Sequence, residues 1–241
     1  MKTAIDILIL IILLHGAWTG YKKGLIMGIA GALVLVVSVY GANLLADTFS
    51  YDVVSALKPF AGGFVEGQVD AEGGVLETLG WENEDNYSLE DLLAQHADEK
   101  DDFAAACYEN LGIHSSSADV MADAALEYAA EEEVPVIDAV IHELCSRISY
   151  VGCFILAFLM IAIVLTVVIN LPNLSYKIPH LDIVNDITGT LIGLATAAAY
   201  SAVLVWALKF TGMIIGPETL EETVLGGWFL EKDFLVRYLG L

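Results

Sequence analysis

Apolar residues in this chain come in long unbroken runs. Ala4–Trp18, Gly24–Leu45, Ile148–Leu171 and Ile187–Phe210 are nearly free of charge. At 1.5 Å of rise per residue, a run of about 22 residues reaches roughly 33 Å, enough for a hydrocarbon core of ~30 Å. The first run is shorter and crosses only with help from Met1–Thr3 and Thr19. The pattern predicts an all-α integral membrane protein with four transmembrane helices arranged as two hairpins. It divides the chain into a first hairpin over 1–47, an insertion over 48–147, a second hairpin over 148–215 and an amphipathic tail over 216–241. A retained first helix is expected, since Leu14–Trp18 offers no small-x-small cleavage site and a second span follows at once.

Between the hairpins the period changes. Ser88 with Asp91 resembles a capping box ahead of a helix over Leu89–Ala97. Apolar residues at 103, 104, 107, 108 and 111 give a helical period over Asp101–Leu111 that stops at Gly112. Ser117 is placed to cap Ala118–Ala130. Pro135 suits the first turn of a helix running through Ile137–Leu144 into the third span. The insertion thus reads as a small helical unit, of modest apolar content, that leans on the membrane helices or on a partner. In the tail, Pro217 starts a helical turn, Gly226-Gly227 breaks it, and Trp228–Leu239 forms a short helix lying on the membrane surface or against another part of the protein.

Small residues punctuate the spans. Glycines fall at 16, 20, 24 and 28, followed by Gly31 and Ala32, and Gly24-Leu-Ile-Met-Gly28 is answered by Gly189-Thr-Leu-Ile-Gly193 at an offset of 165 residues. Where lipid supplies no hydrophobic drive for association, such positions let helix backbones approach closely. The expected arrangement is GxxxG packing in which Gly16, Gly20, Gly24, Gly28, Gly31, Gly189 and Gly193 hold the two hairpins small face to small face.

Charge then separates the parts. The chain carries a formal net charge of −22, is 57% hydrophobic and has only 17% charged residues. Between Asp47 and Arg147 there are 24 acidic residues against Lys58, Lys100 and Arg147, so nearly all the excess lies in the insertion. That field opposes a nucleic-acid partner and anionic headgroups, and gives a well-solvated surface. Lys22 and Lys23 in the first tight turn and Lys177 in the second place both turns in the cytoplasm. The insertion and both termini are then extracytoplasmic.

Candidate chemistry is sparse. HExxH, G-x-S-x-G, P-loop and dinucleotide patterns do not occur, so the chain reads as a non-enzyme with no catalytic residues, no metal and no cofactor. Asp6, Asn185 and Asp186 are the polar residues placed at span ends. Each reads either as an interfacial group or as part of a polar pathway, because ionisable groups at membrane depth are costly. His15 with Trp18 and Tyr21 suits an aromatic interface belt, and Lys209 is near enough to an end to snorkel outward. His142 and Cys145 could share a metal with Cys107 or His114, but helix-face packing is the plainer reading. The runs Asp98–Asp102 and Glu131–Glu133 lack the ligand pattern of an EF-hand. Cys107 and Cys145 are a candidate disulfide in an oxidising exterior; Cys153 lies inside a span.

Two segments resemble the colicin V production protein family of bacterial inner-membrane proteins. One is Asp6 early in the first helix with Gly20-Tyr-Lys-Lys-Gly24-Leu25, where the family has a Gly-aromatic-basic turn. The other is Asn185 followed by Gly189 and Gly193, where the family has a polar residue and then glycines four apart. The second turn here has only Lys177 and His180 where family members carry more arginine, and the resemblance does not extend to the insertion. It implies a membrane accessory or scaffold protein for production or export of a peptide toxin (a bacteriocin) and for envelope homeostasis. The expected partners are the lipid bilayer, a protein engaged through the acidic insertion, and a second copy of the chain. The alternative is a small-solute or ion transporter or channel built from the two hairpins.

Overall fold

The computed structural model describes residues 2–69, 71, 73–81, 87–170, 182–210 and 223–232. Among these the chain is helical throughout, with no strand. The helices are α1 (Lys2–Val69), α2 (Val75–Leu79), α3 (Leu89–Gln95), α4 (Lys100–Asn110), α5 (Ser115–Glu132), α6 (Val136–Asn170), α7 (Asp182–Leu208) and α8 (Val224–Lys232), with a 3-10 turn at Ala97–Glu99. Three of them, α1, α6 and α7, are long and apolar enough to cross a membrane. That is the make-up of a multi-pass membrane protein.

The contacts divide the chain into two compact units. The first takes in the chain up to Thr48, Gly152 to Leu208 and α8. The second comprises Phe49–Val151 together with Lys209 and Phe210. Both α1 and α6 contribute residues to each unit.

α1 is interrupted at one residue. Gly24 has φ 76° and ψ −175°, a combination essentially restricted to glycine. Lys22 and Lys23 remain in helical backbone ahead of the break, so the turn is tighter than the loop their charge suggested. Past the break the helix does not stop at Asp47, where an exit from the membrane was expected. It runs on through Pro59 and the Ala61-Gly62-Gly63 segment to Val69.

The second unit has a core of its own, which its modest apolar content had not suggested. Val65, Val75, Trp81, Leu92, Phe103, Tyr108, Met121, Val140 and Cys145 are buried together. Two polar groups drawn into it are paired: Tyr108 donates to the Val140 carbonyl at 3.1 Å, and Trp81 Nε1 donates to Glu99 Oε2 at 2.9 Å. Trp81 also stacks with His96 and with Phe103. Outside, Asp98, Glu99, Asp101, Asp102, Asp119, Asp123, Glu127 and Glu131–Glu133 are exposed. The side chain of Ser88 caps α3 and reaches Asp91, as the capping-box pattern predicts. α4 ends ahead of Gly112, whose φ is 80°. α5 begins earlier than predicted. Its cap is His114, whose Nδ1 accepts from the Ser116 N–H at 3.3 Å, and Ser117 is buried within the helix.

Two tail-end expectations change. Lys209 does not snorkel: it is 4% exposed, its ammonium donates to Ser116 Oγ at 3.4 Å, and its carbonyl accepts from the His114 N–H at 3.3 Å. Gly226-Gly227 does not break a helix, because α8 runs through both. Pro217, the second turn with Lys177 and His180, and the end of the proposed tail helix lie outside the described residues.

Candidate functional site

The first unit is organised by contacts between α1 and α7. A Cβ added at Gly16 would lie 2.6 Å from the Gly193 carbonyl oxygen, and one at Gly20 would overlap the Gly189 carbonyl. In return, Cβ atoms at Gly189 and Gly193 would come within 2.9 Å of the Cα atoms of Gly24 and Gly20. Backbone therefore meets backbone, a separation only glycine permits. Along α1 the neighbours on α7 descend from Ala197 and Gly193 at Gly16, through Gly189 at Gly20, to Asn185 at Gly24. They rise again to Gly189 and Ile192 at Gly28. The order of neighbours along α7 turns back at Gly24.

Gly189–Gly193 packs most closely on Gly16–Gly24, running antiparallel. Gly28 makes ordinary contact with Ile192, 3.4 Å from where its Cβ would be, and a Cβ at Gly31 would meet nothing within 4 Å. No described residue packs against Gly31.

Asn185 sits where the pairing ends. It is 1% exposed, and its Oδ1 accepts the Leu25 N–H at 3.0 Å. The break at Gly24 leaves the amides that follow it without helical acceptors, as at any helix start. Asn185 supplies one from a different helix. The glycine and the asparagine depend on each other: the amide group lies against Gly24 so closely that a side chain there would collide with it. Asp186, one residue on, accepts from Thr190 through its backbone carbonyl at 2.7 Å.

Polar residues gather at this end of the unit. Lys23 Nζ donates to Asn170 Oδ1 at 3.2 Å, and Lys22 lies over the Trp18 ring at 4.8 Å. At the far end, Asp6 takes a structural part. Its carboxylate accepts the Val224 N–H at 3.1 Å and the Leu225 N–H at 2.9 Å, capping α8 from 218 residues away. A carboxylate at a helix N-terminus satisfies free amides and complements the helix dipole.

Between these ends runs an apolar groove of about 750 Å³, bounded by both arms of α1 and by α6 and α7. Leu8, Val34, Phe158 and Val203 line it, Gly28 and Gly31 open its wall, and Lys23, Thr19 and Thr166 lie toward the end where α1 turns. Sequence reasoning did not find this groove. Its only signal was Gly31, a small residue in the stripe with no partner.

The other candidate residues are not brought together. Among the described residues no three His, Cys, Asp or Glu side chains converge as a metal site. His142 stacks on Tyr128 with ring centroids 4.1 Å apart. Cys107 and Cys145 are buried free thiols in the core of the second unit rather than a disulfide. Burial pushes the Cys107 thiol up to about 12 and raises the Tyr108 phenol as well. No family model, curated protein or solved structure matches the chain.

Proposed function

We propose that this protein is a four-span membrane scaffold whose acidic helical unit engages a protein partner outside the cytoplasm. The observation that carries the reading is the second unit: a self-contained core under a dense shell of exposed carboxylates. Such a unit supplies a charged surface that suppresses wrong partners and steers a basic one. The reversal at Gly24 supports counting α1 as two spans, which puts the start of α1 and the start of the acidic unit on one side of the membrane. The basic turn at Lys22 and Lys23 favours the cytoplasm for the other side. The narrower role, in production or export of a peptide toxin in a bacterial inner membrane, rests on Asp6, Gly20–Leu25, Asn185, Gly189 and Gly193 alone.

Two measurements test this. A photoreactive residue at exposed Asp119 or Asp123 should cross-link one recurring basic partner, and neutralising the acids of α5 should abolish the adduct. A lack of any charge-dependent adduct would contradict the reading. The second reading is a transporter or channel, favoured by the polar end around Lys23, Asn170 and Asn185. Purified protein in liposomes should pass no ions or small solutes; a flux abolished by Asn185→Ala in protein that remains folded would decide for transport.

A further inference from the structure

The groove in the first unit is too wide to be closed by the residues around it. It narrows to glycine on one wall, and a Cβ at Gly31 would still meet open space. Taken with the reading of this unit as membrane-embedded, on which this inference rests, the medium that fills it is lipid. The groove's ends are unlike. From Gly193 to Ala207 its α7 wall is apolar or small, apart from Thr196 and Tyr200, over 15 residues, about 21 Å of helix. That exceeds the ~15 Å depth of one leaflet of hydrocarbon. At the turn end lies a cation: Lys23 borders the groove, and Asn170 is the one acceptor on its ammonium among the described residues.

An ammonium has three donors, so Lys23 can hold Asn170 and still bind a phosphate oxygen. Lys22, beside it, adds charge. Asp186, at this end, does not border the groove. An apolar slot one leaflet deep with a lysine at its mouth fits an amphiphile with an anionic head. We propose that the groove seats one acyl chain of an anionic phospholipid whose phosphate rests on Lys23.

The size agrees, since concave sites for molecules of this class run from roughly 300 to 1,000 Å³. The cation should set the headgroup preference. One lysine near an anionic surface is worth about 1 kcal/mol, or roughly a fivefold preference. The acyl chain should depend instead on the empty space beside Gly31. The two halves of the site can therefore be removed separately.

The test uses the full chain, delipidated in detergent and mixed with equal amounts of phosphatidylglycerol and phosphatidylcholine, with retained lipid read by native mass spectrometry. Wild type should retain one lipid per chain, with phosphatidylglycerol favoured about fivefold. Lys23→Gln should keep the lipid and lose the preference. Gly31→Leu, whose Cβ meets nothing within 4 Å and whose side chain enters the groove, should lose the lipid of either kind. Detergent unfolding at the wild-type midpoint shows that the first unit of each variant is folded. Equal retention of both lipids by wild type, or undiminished retention by folded Gly31→Leu, would overturn the proposal. So would a dimer that Gly31→Leu dissociates, since a second copy would then be the occupant. These outcomes involve neither the partner of the acidic unit nor solute flux, so the lipid site can fail while the scaffold reading stands, and the reverse.

Discussion

The two units solve packing in opposite ways. In the second, Phe103 and Tyr108 are fully buried and carboxylates cover the outside. In the first, large apolar side chains face outward, with Leu14 61% and Leu156 69% exposed, while the tightest internal contacts belong to glycines. Water explains the second arrangement, because burying apolar surface is the main drive available there. Against lipid the same side chains gain little by turning inward. Close backbone approach, and hydrogen bonds that an apolar medium leaves unanswered, carry the fold instead. One chain thus uses large residues as its core in one unit and the absence of side chains as its core in the other.

Substitutions that reverse these roles should separate the units most sharply. Phe103→Ala empties a fully buried site and should cost about 3–5 kcal/mol in the second unit, read as earlier exposure of Cys107 in urea. The same change at outward-facing Leu156 should leave the urea midpoint unmoved. Next comes Gly20→Ala, whose Cβ collides with the Gly189 carbonyl and should cost about 1–3 kcal/mol in detergent unfolding. Gly31→Ala, in the same small-residue stripe, should stay within about 0.5 kcal/mol. Asn185→Ala leaves the Leu25 amide without its acceptor and should cost about 1 kcal/mol. Asp6→Asn weakens the cap on α8 by about 0.5–1 kcal/mol and should show as faster proteolysis near Trp228 with no change in Cys107 protection.

Titration gives a smaller but clean contrast in the second unit. The Cys107 thiol is held protonated up to about 12 when folded, against an ordinary value of 9.0. The folded state then binds the proton more tightly than the unfolded chain. Its contribution is complete below pH 9 and is lost as pH rises from 9 toward 12. Unfolding of the second unit should become easier across that window, and Cys107→Ala should flatten the slope.

The physics of each region governs how much of it the sequence discloses. The capping box at Ser88 and the stop at Gly112 are local signals, written within a few residues of the bond they make, and both were legible. α5 was misjudged at its start because His114 can cap through its ring nitrogen, a use its residue type does not advertise. The continuation of α1 through Pro59 and Gly62-Gly63 was hidden because packing of Val54 and Val65 into the second core overrides local breakers. The glycine spacing pointed to close helix contact but not to the partner. Gly16, Gly24 and Gly31 carry the same small residue, and only the fold distinguishes a contact, a turn and a groove wall. Asn185 stood out as polar, yet its bond to Leu25 spans 160 residues. Asp6 was equally visible, and its partners lie at the other end of the chain.

The reversal at Gly24 is the point on which the first unit turns, and side-specific thiol labelling tests it directly. Single cysteines at exposed Thr3, Lys22 and Asp47 would be placed in a Cys153→Ala background, with buried Cys107 and Cys145 as the internal control. A membrane-impermeant maleimide would then be applied to spheroplasts and to inverted vesicles. A chain that turns back at Gly24 labels at 3 and 47 from one side and at 22 from the other. Labelling of 3 and 47 from opposite sides would mean that α1 crosses once, and would contradict both the four-span reading and the role given to Gly24.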